Sequence, residues 1–122
     1  MKYCIALLLV WIGLNTPAAI AGERQSRWKT LWRFSQGLLV GANAADAATS
    51  WGKGEANPLM RTGTRFGFGS MAIKTGLVAG TLTLQHIVIR KNPERAPFFV
   101  ISNTAGAALL GVVAARNAAI AR

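Results

Sequence analysis

The sequence predicts an all-α protein, with an N-terminal signal segment followed by a bundle of three transmembrane helices joined by short basic loops. The 122 residues carry 14 Lys and Arg against 4 Asp and Glu, a net charge of +10, yet 52% of them are hydrophobic. A disordered basic tail lacks such apolar content, and an ordinary soluble domain has more than 15% charged residues. Three charge-poor stretches alternate with polar connectors, and no strand-like alternation is sustained.

Residues 1–21 have the three parts of a secretory signal. Lys2 supplies the basic region, an apolar run extends from Tyr3 to Leu14, and small residues lead to Ala21. The run is too short to span a bilayer comfortably, so we expect cleavage after Ala21, with an uncleaved anchor as the alternative. The single cysteine, Cys4, lies in this run, so a cleaved chain would have no disulfide.

Residues 22–33 form a short basic segment that contains Trp28 and Trp32. On a helix these two indoles share one face, because they are four residues apart. Cations beside indole rings are typical of the headgroup region of a membrane. The segment is therefore predicted to lie at the membrane interface, with a frayed polar terminus as the alternative.

The three charge-poor stretches cover residues 34–51, 66–89 and 97–115 of a predicted membrane domain, residues 34–122. At ~1.5 Å per residue each is long enough to cross all or most of a ~30 Å hydrocarbon core. The first stretch is rich in Ala and Gly and contains Asn43 and Asp46, so it would insert poorly without partners. It could instead be a buried helix of a small soluble bundle.

Glycines recur at four-residue spacing in the predicted spans. Gly37 and Gly41 lie in the first span, Gly76 and Gly80 in the second, and Gly111 in the third. Small residues at this spacing form flat faces on which two helices approach closely and gain dispersion contacts. The spacing predicts helix-packing faces, although it also arises by chance in chains rich in Gly and Ala.

Polar residues lie roughly opposite the glycines, and two of them carry opposite charges. Because helices joined by one loop share a membrane face, Asp46 and Lys74 lie ~7.5 Å and ~12 Å from that face. An unpaired charge at the centre of a span costs roughly 2.5–3.5 kcal/mol, so we predict an ion pair. The pair either fixes helix register, which we favour, or handles ions or protons. His86 and Asn103 are also placed to hydrogen-bond, on the other side of the membrane.

The segment from Asn43 to Lys74 resembles a pattern in small uncharacterised bacterial multi-span membrane proteins. There an Asp near a helix end precedes a Gly-x-Glu-x-Asn-Pro-like turn and then a Lys. Here the pattern reads Asp46-x-x-Thr49, Gly54-Glu55-Ala56-Asn57-Pro58-Leu59 and Lys74, with no spacer residue between Gly54 and Glu55. The resemblance implies a membrane location and one cluster of Asp46, Glu55, Asn57 and Lys74, which we extend to Asn43. It implies no established activity.

Motifs for catalysis or metal binding are missing from the sequence. It has no His/Cys set with ligand spacing, no Gly-x-Ser-x-Gly elbow and no phosphate loop. His86 stands alone near a predicted helix end, where an interfacial polar role is more common than metal binding or base catalysis. We therefore expect no enzymatic activity, no cofactor and no metal.

The positive charge lies mainly at the chain ends and in the loops, which indicates anionic lipid headgroups or an acidic partner more than nucleic acid. A cleaved signal would place residues 22–33 outside the cell, against the positive-inside bias, so the orientation stays open. The leading hypothesis is a bacterial inner-membrane accessory subunit or homo-oligomer that assembles through its glycine faces. The alternatives are a small ion- or proton-coupled transporter or channel element, and an exported soluble cationic protein that binds membrane surfaces or polyanions.

Overall fold

The computed structural model describes residues 18–54, 63 and 65–120. In this part of the chain helix α1 covers Ala18–Ser50, α2 covers Phe68–Lys91 and α3 covers Ala96–Ala119, with a 3-10 turn at Pro93–Arg95 before α3. No strand occurs among the described residues. The all-α prediction with three main helices is confirmed. Residues 1–17 of the predicted signal segment lie outside the described residues, so the signal and its cleavage stay predictions.

Helix α1 is continuous over 33 residues and joins the predicted basic segment to the first predicted span. No proline lies between Pro17 and Pro58, and the backbone hydrogen bonds of a helix continue through a change in side-chain polarity. After Ser50 the chain turns at Gly52, whose φ is 74°. Glycine adopts this left-handed conformation without a steric penalty, which makes it common just beyond helix ends.

Helix α2 begins after the extended Gly67 and ends with Arg90 and Lys91 in its last turn. Cations at this position interact favourably with the carbonyl end of a helix. The helix stops at Asn92-Pro93, because proline disfavours helical backbone at the residue before it. The 3-10 turn then leads directly into α3.

The three helices run up, down and up, and α1 makes its most extensive contacts with α3. Hydrogen bonds join Ser35 to Asn103 near one end of this pair and Ser50 to Asn117 near the other. The two bonded residues are 68 positions apart in the first bond and 67 in the second. Residue numbers therefore rise in the same direction along both helices, so α1 and α3 are parallel. The intervening helix α2 is antiparallel to both and contacts α1 less extensively.

The connection between α1 and α2 is held together at its base. The Gly52 amide donates to the Phe66 carbonyl at 3.0 Å, and the Phe66 amide donates to the Lys53 carbonyl at 2.7 Å. An antiparallel bridge pairs Gly54 with Arg65. These backbone contacts bring the end of α1 close to the start of α2.

Two of the helices are long and apolar enough to cross a membrane, by length and composition. They are Phe68–Lys91, with 24 residues, and the unit Pro93–Ala119, with 27 residues. At ~1.5 Å per residue, both exceed a ~30 Å hydrocarbon core. Within the described residues α1 does not meet this criterion, which reflects its charged first half and its polar residues.

The polarity of the bundle is reversed relative to a soluble protein. Its largest fully buried side chains are Asn103, Asp46, Ser35 and Ser70. Among the described residues, fifteen large apolar side chains are exposed instead, Phe68 by 76% and Leu109 by 70%. Six of the buried described residues are polar or charged and six are hydrophobic, so the inward faces of the helices are unusually polar, while their outward faces carry most of the large apolar side chains.

The closest approach of α1 to α3 that involves a glycine is at Gly106, where a Cβ atom would lie 3.2 Å from Cδ1 of Leu39. We predict that Gly106→Leu destabilises the bundle by about 1–3 kcal/mol, because the larger side chain overpacks this contact. Denaturant unfolding in detergent micelles, followed by circular dichroism, measures the change. The matched control is Gly111→Leu, because a Cβ atom at Gly111 meets nothing within 4 Å. Equal stability of the two variants would contradict the prediction.

Candidate functional site

Four polar side chains form a cluster inside the bundle near the connection between α1 and α2. This loop-end cluster consists of Asp46 and Ser50 of α1, Lys74 of α2 and Asn117 of α3. The Lys74 ammonium donates to Oδ2 of Asp46, and Asn117 Nδ2 donates to Oδ1 of Asp46 at 3.1 Å. Ser50 Oγ donates to the same Oδ1 at 3.2 Å and accepts from Asn117 Nδ2 at 2.8 Å. All three helices therefore meet at one carboxylate.

The two charges of this cluster are largely removed from solvent. The Asp46 side chain is 3% exposed and the Lys74 side chain 14%. The Lys74 ammonium also lies 5.4 Å from the centroid of the Phe66 ring, a geometry that favours a cation–π interaction. The structure thus contains the ion pair predicted from the matched depth of the two residues. Each charge compensates the desolvation of the other, so neither can be removed alone without a large cost.

A second polar cluster lies between the helices near the other end of the bundle. This basic-end cluster consists of Trp32 and Ser35 of α1, Gln85 of α2 and Asn103 of α3, all of them buried. The Trp32 indole donates to Gln85 Oε1 at 2.9 Å, and Gln85 Nε2 donates to Asn103 Oδ1 at 2.6 Å. Asn103 Nδ2 donates to Gln85 Oε1 at 2.9 Å and to Ser35 Oγ at 3.1 Å. These bonds link all three helices a second time.

The expected hydrogen bond between His86 and Asn103 is not formed. The Asn103 amide is engaged by Gln85 and Ser35, whereas His86 is exposed and its ring stacks on Trp32 with centroids 6.1 Å apart. Adjacent residues of a helix point about 100° apart. Because Gln85 faces the bundle interior, its neighbour His86 lies nearer the surface, on the side of α2 where its ring stacks on Trp32.

The two clusters are separated by the same number of residues on both parallel helices. Fourteen residues separate Trp32 from Asp46 on α1 and Asn103 from Asn117 on α3. Fourteen residues correspond to two heptads and to ~21 Å along a helix, so both members of each pair face the same neighbour. The interface of α1 and α3 carries polar contacts at two levels, where Asn103 donates to Ser35 and where Asn117 donates to Asp46 and Ser50.

Lys53 connects the loop between α1 and α2 to the end of α3. Its ammonium donates to the carbonyl oxygens of Asn117 and Ile120, the latter at 3.0 Å. Carbonyl groups in the last turn of a helix lack partners within the helix, and a cation stabilises them. Asn117 therefore contributes its side chain to the loop-end cluster and its carbonyl to Lys53.

Three further residues of the predicted polar cluster are not shown to join it. Asn43 is buried one turn before Asp46, but its Oδ1 has no hydrogen-bond partner among the described residues, and the same holds for Oγ of the buried Ser70. Glu55 and Asn57 lie outside the described residues, so their membership in the cluster stays a prediction.

The glycine faces lie on the outside of the chain. Gly37, Gly41, Gly76, Gly80 and Gly111 are all exposed, and a Cβ atom at each would meet nothing within 4 Å. Contacts between helices of one chain therefore do not require them. A shallow groove runs between α1 and α3, and its lining is dominated by small residues: Gly37, Leu38, Gly41, Ala42, Ala45, Thr104, Ala107 and Ala108.

Sequence reasoning missed Asn117, Ser35 and Gly106. The predicted third span ended before Asn117. Ser35 lies at the start of the first predicted span, where polar residues are common and do not indicate a buried contact. A usable signal was present, because Asn103 and Asn117 repeat the fourteen-residue spacing of Trp32 and Asp46. Two helices with the same polar spacing are suited to pack in parallel.

The arrangement of the loop-end cluster is suited to holding three helices in one register. Both oxygens of its only carboxylate accept hydrogen bonds, and its only ammonium is paired with that carboxylate. Among the residues that the structure describes, no three His, Cys, Asp or Glu side chains come together as a metal site would require.

No family model, curated protein or solved structure matches this chain. Its class is therefore defined by its own fold and site. The chain forms an all-helical bundle with a polar interior, and two of its helices are long and apolar enough to cross a membrane.

We predict that Lys74→Met destabilises the bundle by about 3–5 kcal/mol, because it leaves the Asp46 carboxylate buried without a counter-charge. Asp46→Asn removes that carboxylate, so the double variant should lose less stability than the sum of the two single variants. Denaturant unfolding of all four proteins in micelles measures the coupling.

The exposed ion pair of Glu23 and Arg27 provides the control for this comparison of single and double variants. Its side chains are 68% and 76% exposed, with a 2.9 Å contact. Glu23→Gln and Arg27→Met should show a coupling close to zero, because solvent screens exposed pairs. A buried pair that couples no more strongly than this exposed pair would refute the prediction.

Proposed function

We propose that the protein is a small integral protein of the bacterial inner membrane that acts as an accessory or interaction subunit and assembles through its exposed Gly and Ala faces. The observation that carries this proposal is the reversed polarity of the bundle. In water, fifteen exposed large apolar side chains around a polar interior would form a strong aggregation liability. In lipid the same arrangement is favourable, because polar groups find partners inside and apolar groups face acyl chains.

The low burial of the apolar helices supports the membrane location. Only 11% of the apolar window of Phe68–Lys91 is buried in the chain, and 11% of the window of Pro93–Ala119. The core helix of a soluble protein is mostly buried by its neighbours, since water would otherwise contact its apolar side chains. These two helices have most of their apolar surface free for lipid or for another protein.

We propose that the second half of α1 forms the third span, supported by its partners. Its polar residues Ser35 and Asp46 are turned inward and hydrogen-bonded, while Leu38 and Val40 are exposed. A polar span can insert when neighbouring helices satisfy its polar groups. α2 and α3 provide such partners at both polar clusters. α1 can therefore be a span although its own composition is too polar for one.

The positions of two tryptophans support a membrane-spanning second half of α1. Trp32 and Trp51 are nineteen residues apart, or about 28 Å along a helix, close to the thickness of a ~30 Å hydrocarbon core. Trp51 packs edge-on against Phe68 with centroids 5.0 Å apart. Aromatic residues are enriched at both membrane interfaces, and Trp51, which is 38% exposed, lies where the end of α1 would reach one of them.

The contacts of the Asp46–Lys74 pair favour a structural role over ion transport. Transport requires that a charged group exchange partners, whereas this carboxylate is bound by all three helices through Lys74, Ser50 and Asn117. An exported soluble cationic protein would have a polar exterior. α2 and α3 expose large apolar side chains instead.

The groove between α1 and α3 is the proposed assembly surface. The groove is lined by Gly37 and Gly41 on one side and by Ala107 and Ala108 on the other, with Leu38 as the one bulky side chain in its lining. A helix of a second copy or of another membrane subunit can approach such a groove closely and gain dispersion contacts. No hydrophobic driving force exists between helices in lipid, so this close fit supplies the affinity.

We predict that the protein stays in the membrane pellet during alkaline carbonate extraction, because lipid-embedded apolar helices are not released by charge or pH. Immunoblotting of pellet and supernatant measures the distribution, with a peripheral protein as control for release. Appearance of most of the protein in the supernatant would exclude the membrane location.

We predict that Gly41→Ile lowers association between chains by roughly tenfold, because a branched side chain fills the groove and an overpacked contact loses about 1–3 kcal/mol. Energy transfer between two differently labelled copies in mild detergent measures association of identical chains, and crosslinking measures association with other subunits. Ala105→Ile is the matched control, since Ala105 is exposed and lies outside the groove. Unchanged association in the Gly41 variant, or equal loss in both, would argue against this surface.

A further inference from the structure

The fold gathers positive charge at one end of the bundle. Because α2 is antiparallel to α1 and α3, the first half of α1, the last turn of α2 and the 3-10 turn lie at the same end. The described acids at this end are Glu23 and Glu94, and Glu23 is already paired with Arg27. The described cations there are Arg24, Arg27, Lys29, Arg33, Arg90, Lys91 and Arg95.

Two of these cations flank the seam between α1 and α2. Trp32 faces α2, since its indole donates to Gln85, whereas Ser35 reaches α3. Lys29 precedes Trp32 by three residues and Ser35 follows it by three, so they lie on opposite sides of Trp32 on the helix surface. Lys29 therefore lies on the side of α2, and Arg33 on the same side. Both are exposed.

Two further basic residues approach the same seam from α2. The His86 ring stacks on Trp32, which places His86 on the side of α2 that faces α1. Arg90 follows His86 by one helical turn on the same face. The helices are antiparallel, so Lys29 is level with Arg90, and Arg33 with His86. By this helical geometry the four basic residues lie on the two sides of the seam near the level of Trp32, and His86 is the one whose ring stacks on it.

We propose that this seam is a binding site for the headgroup of an anionic phospholipid. Lys29, Arg33, His86 and Arg90 would hold the phosphate beside the Trp32 ring. No ion pair within the described residues neutralises Lys29, Arg33 or Arg90. Their charges are therefore available to an external anion.

The surface below the cations fits a lipid better than a soluble phosphate compound. Val40 follows Arg33 by seven residues, so it lies on the same face of α1 two turns further along. It is 47% exposed. An amphipathic ligand contacts both parts at once, with its phosphate at the basic residues and an acyl chain along Val40.

Native mass spectrometry of the full chain in mild detergent tests the site, with dioleoyl phosphatidylglycerol and dioleoyl phosphatidylcholine as probes. We expect preferential retention of one phosphatidylglycerol. Each cation near an anionic surface contributes roughly fivefold in affinity, so R33Q/R90Q should weaken phosphatidylglycerol binding by about 25-fold. Phosphatidylcholine binding should stay unchanged.

The matched control is R24Q/R95Q, which removes two cations from the same end of the bundle but not from the seam. It should retain the preference for phosphatidylglycerol. Equal loss in both double variants would overturn the site and leave only diffuse attraction between charges. Equal retention of the two lipids by the unmodified chain would also overturn it. Displacement of the lipid by millimolar inorganic phosphate would overturn the assignment to a lipid headgroup. Arg33, Arg90 and Arg95 are exposed and Arg24 is half-buried, and circular dichroism checks that both variants keep their helical content.

This inference rests on the proposed membrane location and is independent of the proposed assembly. A Gly41→Ile chain that no longer associates should keep its preference for phosphatidylglycerol, because Gly41 lies outside the seam. Unchanged association of the Gly41→Ile chain, with the preference for phosphatidylglycerol retained, is a failure of the proposed assembly alone. Loss of the preference in R33Q/R90Q and R24Q/R95Q alike, with assembly intact, is a failure of this site alone.

Discussion

The burial of one carboxylate constrains the rest of this bundle. The Asp46 side chain is 3% exposed, and an isolated charge at such a place would be strongly destabilising. It is stabilised by an ammonium from α2, an amide from α3 and a hydroxyl from its own helix. These donors are on three different helices, so the charge is satisfied only when all three helices are in register. A one-turn shift of α2 would separate the carboxylate from Lys74, and a one-turn shift of α3 would separate it from Asn117.

A second set of hydrogen bonds makes that register unique. The basic-end cluster joins Trp32, Gln85 and Asn103 about 21 Å away from the carboxylate along α1. Two polar levels on the same interface determine both the axial position and the rotation of α3 against α1. Gly106 then allows close approach near Leu39, where any larger residue would contact the leucine. Polar bonds thus select the arrangement, and small residues permit its close packing.

The polar interior also determines what the outer surface presents. The hydrogen-bonding side chains share the interior with Trp32, Phe66 and Ile89, and most of the other large apolar residues and the glycines face outward. The outer surface therefore combines apolar sides, a groove of small residues and one strongly basic end. Each of these features suits a component of a membrane: acyl chains for the sides, a neighbouring helix for the groove and anionic headgroups for the basic end. The proposals for location, assembly and lipid binding follow from this single arrangement.

The sequence by itself determined the helical class, the number of helices and the pairing of Asp46 with Lys74. These features depend on composition and on the rise per residue, which are local properties of the chain. Tertiary structure decided that Asn117 and Ser35 join the polar clusters, that His86 does not bond Asn103, and that the glycines face outward. The helical periodicity shows which residues share a face, but not which face turns toward the neighbouring helices. That choice is made by the combined contacts of all three helices, and no single helix contains the information.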